Sequence, residues 1–152
     1  MTILISRRRK CPDVRLWRAA DPIDGRPEPV RGAAQCSLRR ILCFYSPTGI
    51  EWGYRGSGPA DLALSIMSHC LPQLCDGLPR VVLCHGRCSR VAWDCHHAFE
   101  RSFVSQVPPI GGTILGCLVD AWLDGALEIW IARREEGWVG FGLDTDPKKP
   151  GV

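Results

Sequence analysis

The chain has 152 residues, of which 45% are hydrophobic and 23% are charged, a balance typical of a single globular domain. This apolar fraction excludes an intrinsically disordered chain, which could not bury enough surface to offset the entropy of folding. The net charge of +3 is unevenly distributed, because residues 1–40 hold ten Lys and Arg against four Asp and Glu (+6), which leaves −3 for the rest.

The basic charge is concentrated in residues 1–12, which we predict to be a segment separate from the globular domain. Arg7, Arg8, Arg9 and Lys10 form a continuous run that could contact nucleic acid or an acidic protein surface. No recognised DNA-reading or RNA-reading motif accompanies the run, so a solvated charged segment is the simpler interpretation. Nucleic-acid binding is therefore an alternative, not the first expectation.

The sequence predicts neither a secretory signal nor a membrane span. The first six residues are apolar, but they precede the positive charges, which is the reverse of the order in a secretory signal. The longest apolar stretch, residues 110–132, contains Asp120, Asp124 and Glu128, each of which costs about 2.5 to 3.5 kcal/mol near the centre of a bilayer. We therefore expect a cytoplasmic protein without membrane contact, whose nine cysteines are mostly free thiols.

Apolar and alternating segments predict an N-terminal antiparallel sheet of about three strands. Residues 13–19 alternate apolar and polar side chains, which indicates the first strand. Residues 38–45 and 50–55 flank a Ser-Pro-Thr-Gly turn, so they are predicted to pair as a hairpin. In this hairpin Trp52 and Tyr54 would share one face of the sheet.

Helical spacing of apolar side chains predicts two helices after the sheet. The first begins with Gly58 as its N-cap and Pro59 in its first turn, and Asp61 is expected to accept hydrogen bonds from free N–H groups of that turn. Pro72 ends this helix. The second helix is predicted from about residue 82 or 85 to residue 104.

A third helix is predicted after the paired glycines at positions 111 and 112. Its inward side chains are expected to be Ile114, Leu118, Ala121 and Trp122. Gly125 is expected to end it, so that residues 127–133 and 138–143 could form a C-terminal hairpin, followed by a flexible tail over residues 144–152. These elements predict an α+β fold, in which the sheet packs with two or three helices in one globular domain spanning residues 13–143.

Residues 46–64, SPTGIEWGYRGSGPADLAL, resemble the signature of a small uncharacterised family found in bacteria and in their phages and plasmids. The usual wording of that signature is close to SPTGFEWGYGGSGPADLAL, so Ile50 and Arg55 depart from it. The likeness continues loosely over residues 14–124. The resemblance implies a shared α+β fold and a mobile-element setting, and it transfers no catalytic residue because the family has no established activity.

The glycine-rich turn before the first helix was a candidate phosphate site, because free N–H groups and the helix dipole meet there and Arg55 is adjacent. Asp61 would repel an anion in the same turn, and the Gly-Lys-Ser/Thr of a phosphate loop is missing. A tight turn into the helix is the favoured interpretation. Catalysis by neighbouring Cys95, His97 and Asp94 is disfavoured, because adjacent positions on a helix point in different directions.

Histidine and cysteine are concentrated in residues 69–97, which hold all four histidines and five of the nine cysteines. Cys84, Cys88 and Cys95 could supply the ligands of a zinc ion together with His85, His96 or His97, of which we select His97. Their spacing matches neither a zinc finger nor a zinc ribbon, and the cysteines continue the apolar stripe of the second helix. Core packing is therefore favoured and no cofactor is expected, with zinc as the alternative and a redox role as the third interpretation.

Tryptophan and arginine are the residue types most enriched at the centres of protein interfaces. The side chains that we select on this basis are Trp17, Arg55, Trp130 and Trp138. We therefore expect a non-enzymatic accessory protein of a phage or other mobile element, which binds a host protein or complex and inhibits host defence in the manner of an anti-CRISPR protein. The alternatives are a nucleic-acid-associated protein that uses the basic segment and a small zinc-binding protein.

Overall fold

The structure is a computed structural model that describes residues 10–19, 32–72, 80–83 and 86–137. The predicted α+β fold is confirmed, with an antiparallel three-stranded sheet, a two-stranded ribbon and three α-helices in these residues. The elements in chain order are β1 (Val14–Arg18), β2 (Ala34–Cys36), α1 (Ser57–Cys70), β3 (Val81–Leu83), β4 (Gly86–Cys88), α2 (Arg90–Ser102), a 3₁₀ turn (Val104–Gln106), β5 (Gly112–Ile114) and α3 (Gly116–Glu135).

The three-stranded sheet has the order β2-β1-β5, with β1 at its centre. Leu16 lies opposite Cys36 on one side and Gly112 on the other. Side chains alternate along β1, so that Val14 and Leu16 are buried while Arg15 and Trp17 face outward. The prediction of a first strand over residues 13–19 is therefore confirmed.

The predicted hairpin is wrong. The chain turns at Pro47 and Thr48, but residues 38–45 and 50–55 form no strand, and β1 pairs instead with Ala34–Cys36 and Gly112–Ile114. Trp52 and Tyr54 do not share a face, because Trp52 is 1% exposed and Tyr54 is 51% exposed.

Helix α1 lies in the centre of the core and packs against α2. It begins at Ser57 after Gly56 at the N-cap, so the predicted N-cap at Gly58 is wrong, and no side chain among the described residues caps its first turn. It ends before Pro72 as predicted. Nearly all of its side chains between Gly58 and Met67 are buried, so the helix is surrounded by the other elements and not exposed along one face.

Helix α2 begins later than predicted, since Ser89 caps it by accepting a hydrogen bond from the Ala92 N–H at 3.1 Å. Strands β3 and β4, which lie largely within the stretch predicted to be helical, pair as a ribbon before it. The apolar stripe predicted for the helix is confirmed at Cys95 and Phe99, which are both fully buried.

Helix α3 continues through Gly125 to Glu135, so the predicted strand over residues 127–133 is wrong; its proposed partner, residues 138–143, lies outside the described residues. Gly125 faces outward with open space around it, so the missing side chain loses no packing and costs only about 1 kcal/mol of helix propensity. The buried face was also misassigned, because Leu118 and Ala121 are exposed. The side chains that reach the core are Val119, Leu123, Ala126, Leu127 and Trp130.

Across the part of the chain that the structure describes, no helix is long and apolar enough to cross a membrane. The predicted basic segment is represented there only by Lys10 and its neighbours up to residue 12, and the predicted tail lies outside the described residues.

Candidate functional site: the loop from Phe44 to Gly56

The residues between β2 and α1 end in an irregular segment, here called the 44–56 loop, whose beginning is held by Asp61 of α1. One Asp61 oxygen, Oδ1, accepts hydrogen bonds from the Phe44 and Tyr45 N–H groups, both at 2.9 Å, and Oδ2 accepts one from the Ser46 N–H at 2.8 Å. Asp61 is completely buried. A strand would satisfy these N–H groups with a neighbouring strand, whereas here one carboxylate satisfies all three.

The end of the 44–56 loop is held by a second buried carboxylate, Glu100 of α2. Its Oε1 accepts a hydrogen bond from the Gly56 N–H at 2.9 Å, and the side chain is only 5% exposed. Glu100 therefore places a negative charge at the N-terminus of α1, which is the position of the candidate phosphate site. This contact supports the interpretation of the glycine-rich turn as a structural feature and not a phosphate site.

The middle of the 44–56 loop is attached to the rest of the core. The indole Nε1 of Trp52 donates to the Pro108 carbonyl at 3.0 Å, and the Gly53 N–H donates to the Val104 carbonyl at 3.0 Å. Gly53 has a φ of 85°, and a Cβ at this position would lie 3.0 Å from the Val107 carbonyl oxygen, so the loop requires glycine here.

A salt bridge connects the same part of the 44–56 loop to β1. The Arg18 guanidinium donates to both carboxylate oxygens of Glu51, at 3.2 and 2.9 Å, and it lies over the Trp52 ring at 4.5 Å from the centroid. The loop is thus fixed at its beginning, middle and end by side chains from three different elements.

The first two residues of the loop, Phe44 and Tyr45, form an aromatic–histidine cluster with Trp93, His96 and His97 of α2. The Tyr45 ring stacks on Trp93 with 6.1 Å between centroids, and Phe44 contacts both rings edge-on. The Tyr45 hydroxyl lies 3.0 Å from His96 Nε2 and 3.1 Å from His97 Nε2. Two imidazoles of one helix therefore converge on a single phenol oxygen of the loop.

The partners of His96 determine which of its nitrogens carries the proton. Its Nδ1 faces the Trp93 carbonyl, which can only accept, so Nδ1 must donate and Nε2 accepts from the Tyr45 hydroxyl. Burial, together with the neighbouring His97, lowers the pKa of His96 to about 3, which is consistent with a neutral ring. Burial, reinforced by the charges of Asp61 and Glu100, raises the pKa of Tyr45 to about 12, so this side chain is a phenol at neutral pH.

The fixed backbone of the 44–56 loop presents several side chains to solvent. Phe44 is 43% exposed, Tyr54 is 51% exposed, and Arg55 is also exposed. The His97 side chain, beside the loop, is 45% exposed. The site thus combines a fixed backbone with accessible aromatic and basic side chains.

Of the four side chains selected as protein anchors, Trp130 was selected wrongly. It is completely buried, and its Nε1 donates to Asp94 Oδ2 at 3.0 Å beside the Arg134–Asp94 salt bridge, so it cannot reach a partner. Trp17 is 42% exposed and its Nε1 donates to Gln35 at 2.8 Å, which fixes the ring on the outer face of the sheet. Arg55 is exposed, and Trp138 lies outside the described residues.

The structure does not bring the proposed zinc ligands together. Cys84 lies outside the described residues, and in the parts that are described no three His, Cys, Asp or Glu side chains are grouped to hold a metal ion, so Cys88, Cys95 and His97 do not form such a group. Cys88 and Cys95 are core side chains with 1% and 0% exposure, and burial raises the pKa of the Cys95 thiol. His97 instead contacts Tyr45 and Glu100.

The nucleic-acid alternative depends on the basic segment, most of which lies outside the described residues. Lys10 is exposed, whereas Arg7, Arg8 and Arg9 lie outside the described residues. Two residues that build the site, Tyr45 and Glu100, were not predicted from the sequence, and His96 was predicted only as an alternative zinc ligand. Their only signal was that His96 and Glu100 are polar residues next to buried positions of α2, and it could not show that Tyr45 lies beside them.

Residues 23–75 match a family model described as "Family of unknown function (DUF6166)". No curated protein and no solved structure matches the chain. The matched residues include the whole 44–56 loop and Asp61, whereas Trp93, His96, His97 and Glu100 lie beyond them. The match supports an uncharacterised domain, in agreement with the resemblance of residues 46–64, and it carries no activity.

Proposed function

We propose that this protein acts without catalysis, by binding another protein through the 44–56 loop. The observation that carries the proposal is the exposure of Phe44 and Tyr54 on a loop whose backbone is fixed by two buried carboxylates. Exposed aromatic rings usually cost a protein solubility, so two of them on a fixed loop favour a binding surface over a purely structural turn.

A fixed loop is well suited to this role because binding does not have to order it. Ordering an interface costs about 0.5 to 1.5 kcal/mol for each immobilised side chain, in addition to the cost of ordering a flexible backbone. Here Asp61, Glu51 and Glu100 have already restricted the backbone. Aromatic side chains add large contact areas with few rotatable bonds.

The charges of the loop indicate the chemistry of the partner. Its two charged residues are Glu51, which is paired with Arg18, and Arg55, which is exposed. A complementary surface would therefore offer apolar pockets for Phe44 and Tyr54 next to an acidic group for Arg55. Trp17, on the outer face of the sheet, would provide a second contact for a large partner.

The resemblance of residues 46–64 to a family from bacteria, phages and plasmids suggests the biological setting. We propose a mobile-element accessory protein whose partner is a host protein complex, with a defence complex as the first target to test. Inhibition would then arise from occupation of a surface that the complex needs for its own assembly or substrate.

The test is a pulldown from host lysate with the tagged full chain, followed by affinity measurement with the identified and purified partner. We expect Phe44→Ala and Tyr54→Ala each to weaken that affinity at least tenfold, while Ile129→Ala, which truncates a 47% exposed side chain on α3, leaves it unchanged. Thermal melting establishes that each variant is folded.

Two outcomes would overturn the proposal. Equal affinities for the two loop variants and the wild type would show that the partner binds elsewhere. A complex that depends on nucleic acid, weakens steeply with salt and is lost when residues 7–10 become alanine would favour the nucleic-acid alternative instead.

A further inference from the structure

We propose that His96, His97 and Tyr45 form a binding site for a divalent first-row transition-metal ion, a function separate from the binding of a protein by the 44–56 loop. The three donor atoms are the two Nε2 atoms and the phenol oxygen that lies 3.0 and 3.1 Å from them. This set differs from the cysteine-rich set considered in the sequence, because its third donor is a tyrosine.

The hydrogen atoms available to the three side chains do not satisfy their contacts. His96 Nδ1 faces the Trp93 carbonyl and His97 Nδ1 faces Glu100 Oε2 at 3.4 Å, and both partners accept only. Both Nδ1 atoms therefore carry hydrogen, and in neutral rings both Nε2 atoms carry lone pairs. The Tyr45 hydroxyl has one hydrogen and can donate to only one of them, so a lone pair of the other nitrogen faces oxygen.

A cation shared by the three atoms removes this conflict, since the Tyr45 phenol would release its hydroxyl proton to solvent and each atom would then present a lone pair to positive charge. The surroundings of the imidazoles also resemble those of metal ligands. Histidines that bind a metal almost always donate their other ring N–H to a backbone carbonyl or a carboxylate. His96 Nδ1 faces a carbonyl and His97 Nδ1 faces a carboxylate. Imidazole nitrogen favours ions of the zinc, copper and nickel group.

The two known distances are close to those of a metal site. Ligand atoms about 2.0 to 2.1 Å from a tetrahedral ion lie about 3.3 Å apart, so the phenol oxygen would have to move away from each nitrogen by about 0.3 Å. The His97 side chain is 45% exposed, so the cluster lies at the surface of the protein on this side.

The experiment uses the full chain, treated with EDTA and then dialysed into buffer with a phosphine reductant. Zinc(II) is titrated by calorimetry and cobalt(II) by absorption spectroscopy. We expect one ion per chain and a cobalt spectrum without the thiolate-to-metal charge-transfer band, since the ligands are nitrogen and oxygen.

Four variants locate the site. His97→Gln and Tyr45→Phe should each weaken zinc binding at least tenfold, and Glu100→Gln, which acts through His97, should weaken it by about 10-fold to 100-fold. His69→Gln is the matched control, since it removes an exposed histidine from α1 and should change nothing. His97 and Tyr45 are partly exposed, so both variants remain informative if a change at buried His96 prevents folding.

Three results would overturn the proposal. The first is no zinc uptake, and the second is uptake that His97→Gln and Tyr45→Phe do not weaken. The third is a cobalt spectrum with a thiolate band, which would place the ion at cysteines. None of these results depends on whether the 44–56 loop binds a protein, so the two proposals fail separately.

Discussion

The dependence of the 44–56 loop on Asp61 can be tested by the substitution Asp61→Asn. The side chain keeps its shape, but an amide NH2 group replaces one carboxylate oxygen. If the remaining oxygen stays with the Phe44 and Tyr45 N–H groups, the new NH2 takes the place of Oδ2, which lies 2.8 Å from the Ser46 nitrogen. The side chain at position 61 is fully buried, so water cannot replace the lost acceptor. Two donors then oppose each other.

The expected loss of stability follows from these contacts. A buried donor left without a partner costs about 1 to 3 kcal/mol, and the two other bonds weaken when their acceptor loses its charge, so we expect a total near 3 kcal/mol. With a urea m-value of about 2 kcal/mol per M, this corresponds to a shift of about 1.5 M in the unfolding midpoint.

Urea unfolding followed by tryptophan fluorescence measures this shift. The control is Glu128→Gln, which makes the same chemical change at an exposed carboxylate of α3 and should leave the midpoint unchanged. If Asp61→Asn also left the midpoint unchanged, the carboxylate could not be what holds the beginning of the loop. The loop would then not be the fixed surface that the proposed function requires.

Two further predictions concern side chains that the sequence placed in the wrong environment or left undecided. Trp130→Phe removes a hydrogen-bond donor from the buried carboxylate of Asp94, so it should lower the free energy of unfolding by about 1 to 3 kcal/mol in thermal melts. Trp17→Phe, at the partly exposed face of the sheet, should lower it by less than about 0.5 kcal/mol, and equal losses would contradict the burial of Trp130. Iodoacetamide should alkylate exposed Cys117 in the native protein within minutes and leave buried Cys95 unmodified until urea is added. Peptide mass spectrometry measures both modifications, and rapid alkylation of Cys95 would contradict its place in the core.

Elements whose contacts are periodic and local could be predicted from the sequence. Strand β1 and helix α1 were found because their apolar side chains recur with the period of the element. Helix α3 was predicted to end at Gly125, which is too early, because glycine usually marks the end of a helix. Only the structure shows that Gly125 faces solvent while Ala126, Leu127 and Trp130 continue the buried face.

The candidate site could not be predicted in the same way, because its contacts join residues far apart in the chain. Residues 38–45 and 50–55 have the composition of strands, and a turn sequence separates them. The N–H groups of Leu42, Phe44 and Tyr45 nevertheless bind side chains of α1. The adjoining Gly56 N–H binds Glu100 of α2, 44 residues away. Periodicity contains no information about such partners. Asp61 was predicted to accept hydrogen bonds from the first turn of its own helix, which is wrong, because it accepts them from the 44–56 loop.

Whether the 44–56 loop behaves as one unit can be decided by combining Asp61→Asn with Glu100→Gln in a double-mutant cycle. The two carboxylates hold opposite ends of the loop, through Ser46 and its neighbours at one end and Gly56 at the other. If the loop is a single ordered unit, the loss of either end releases much of it, so the second substitution removes contacts that are already weakened. The double variant should then be more stable than the sum of the single effects predicts, with a coupling above about 0.5 kcal/mol. Independent ends would instead give effects that add within about 0.3 to 0.5 kcal/mol. Additivity in urea unfolding would mean that Phe44 and Tyr54 lie on separately fixed segments, and that a partner could engage one of them without the other.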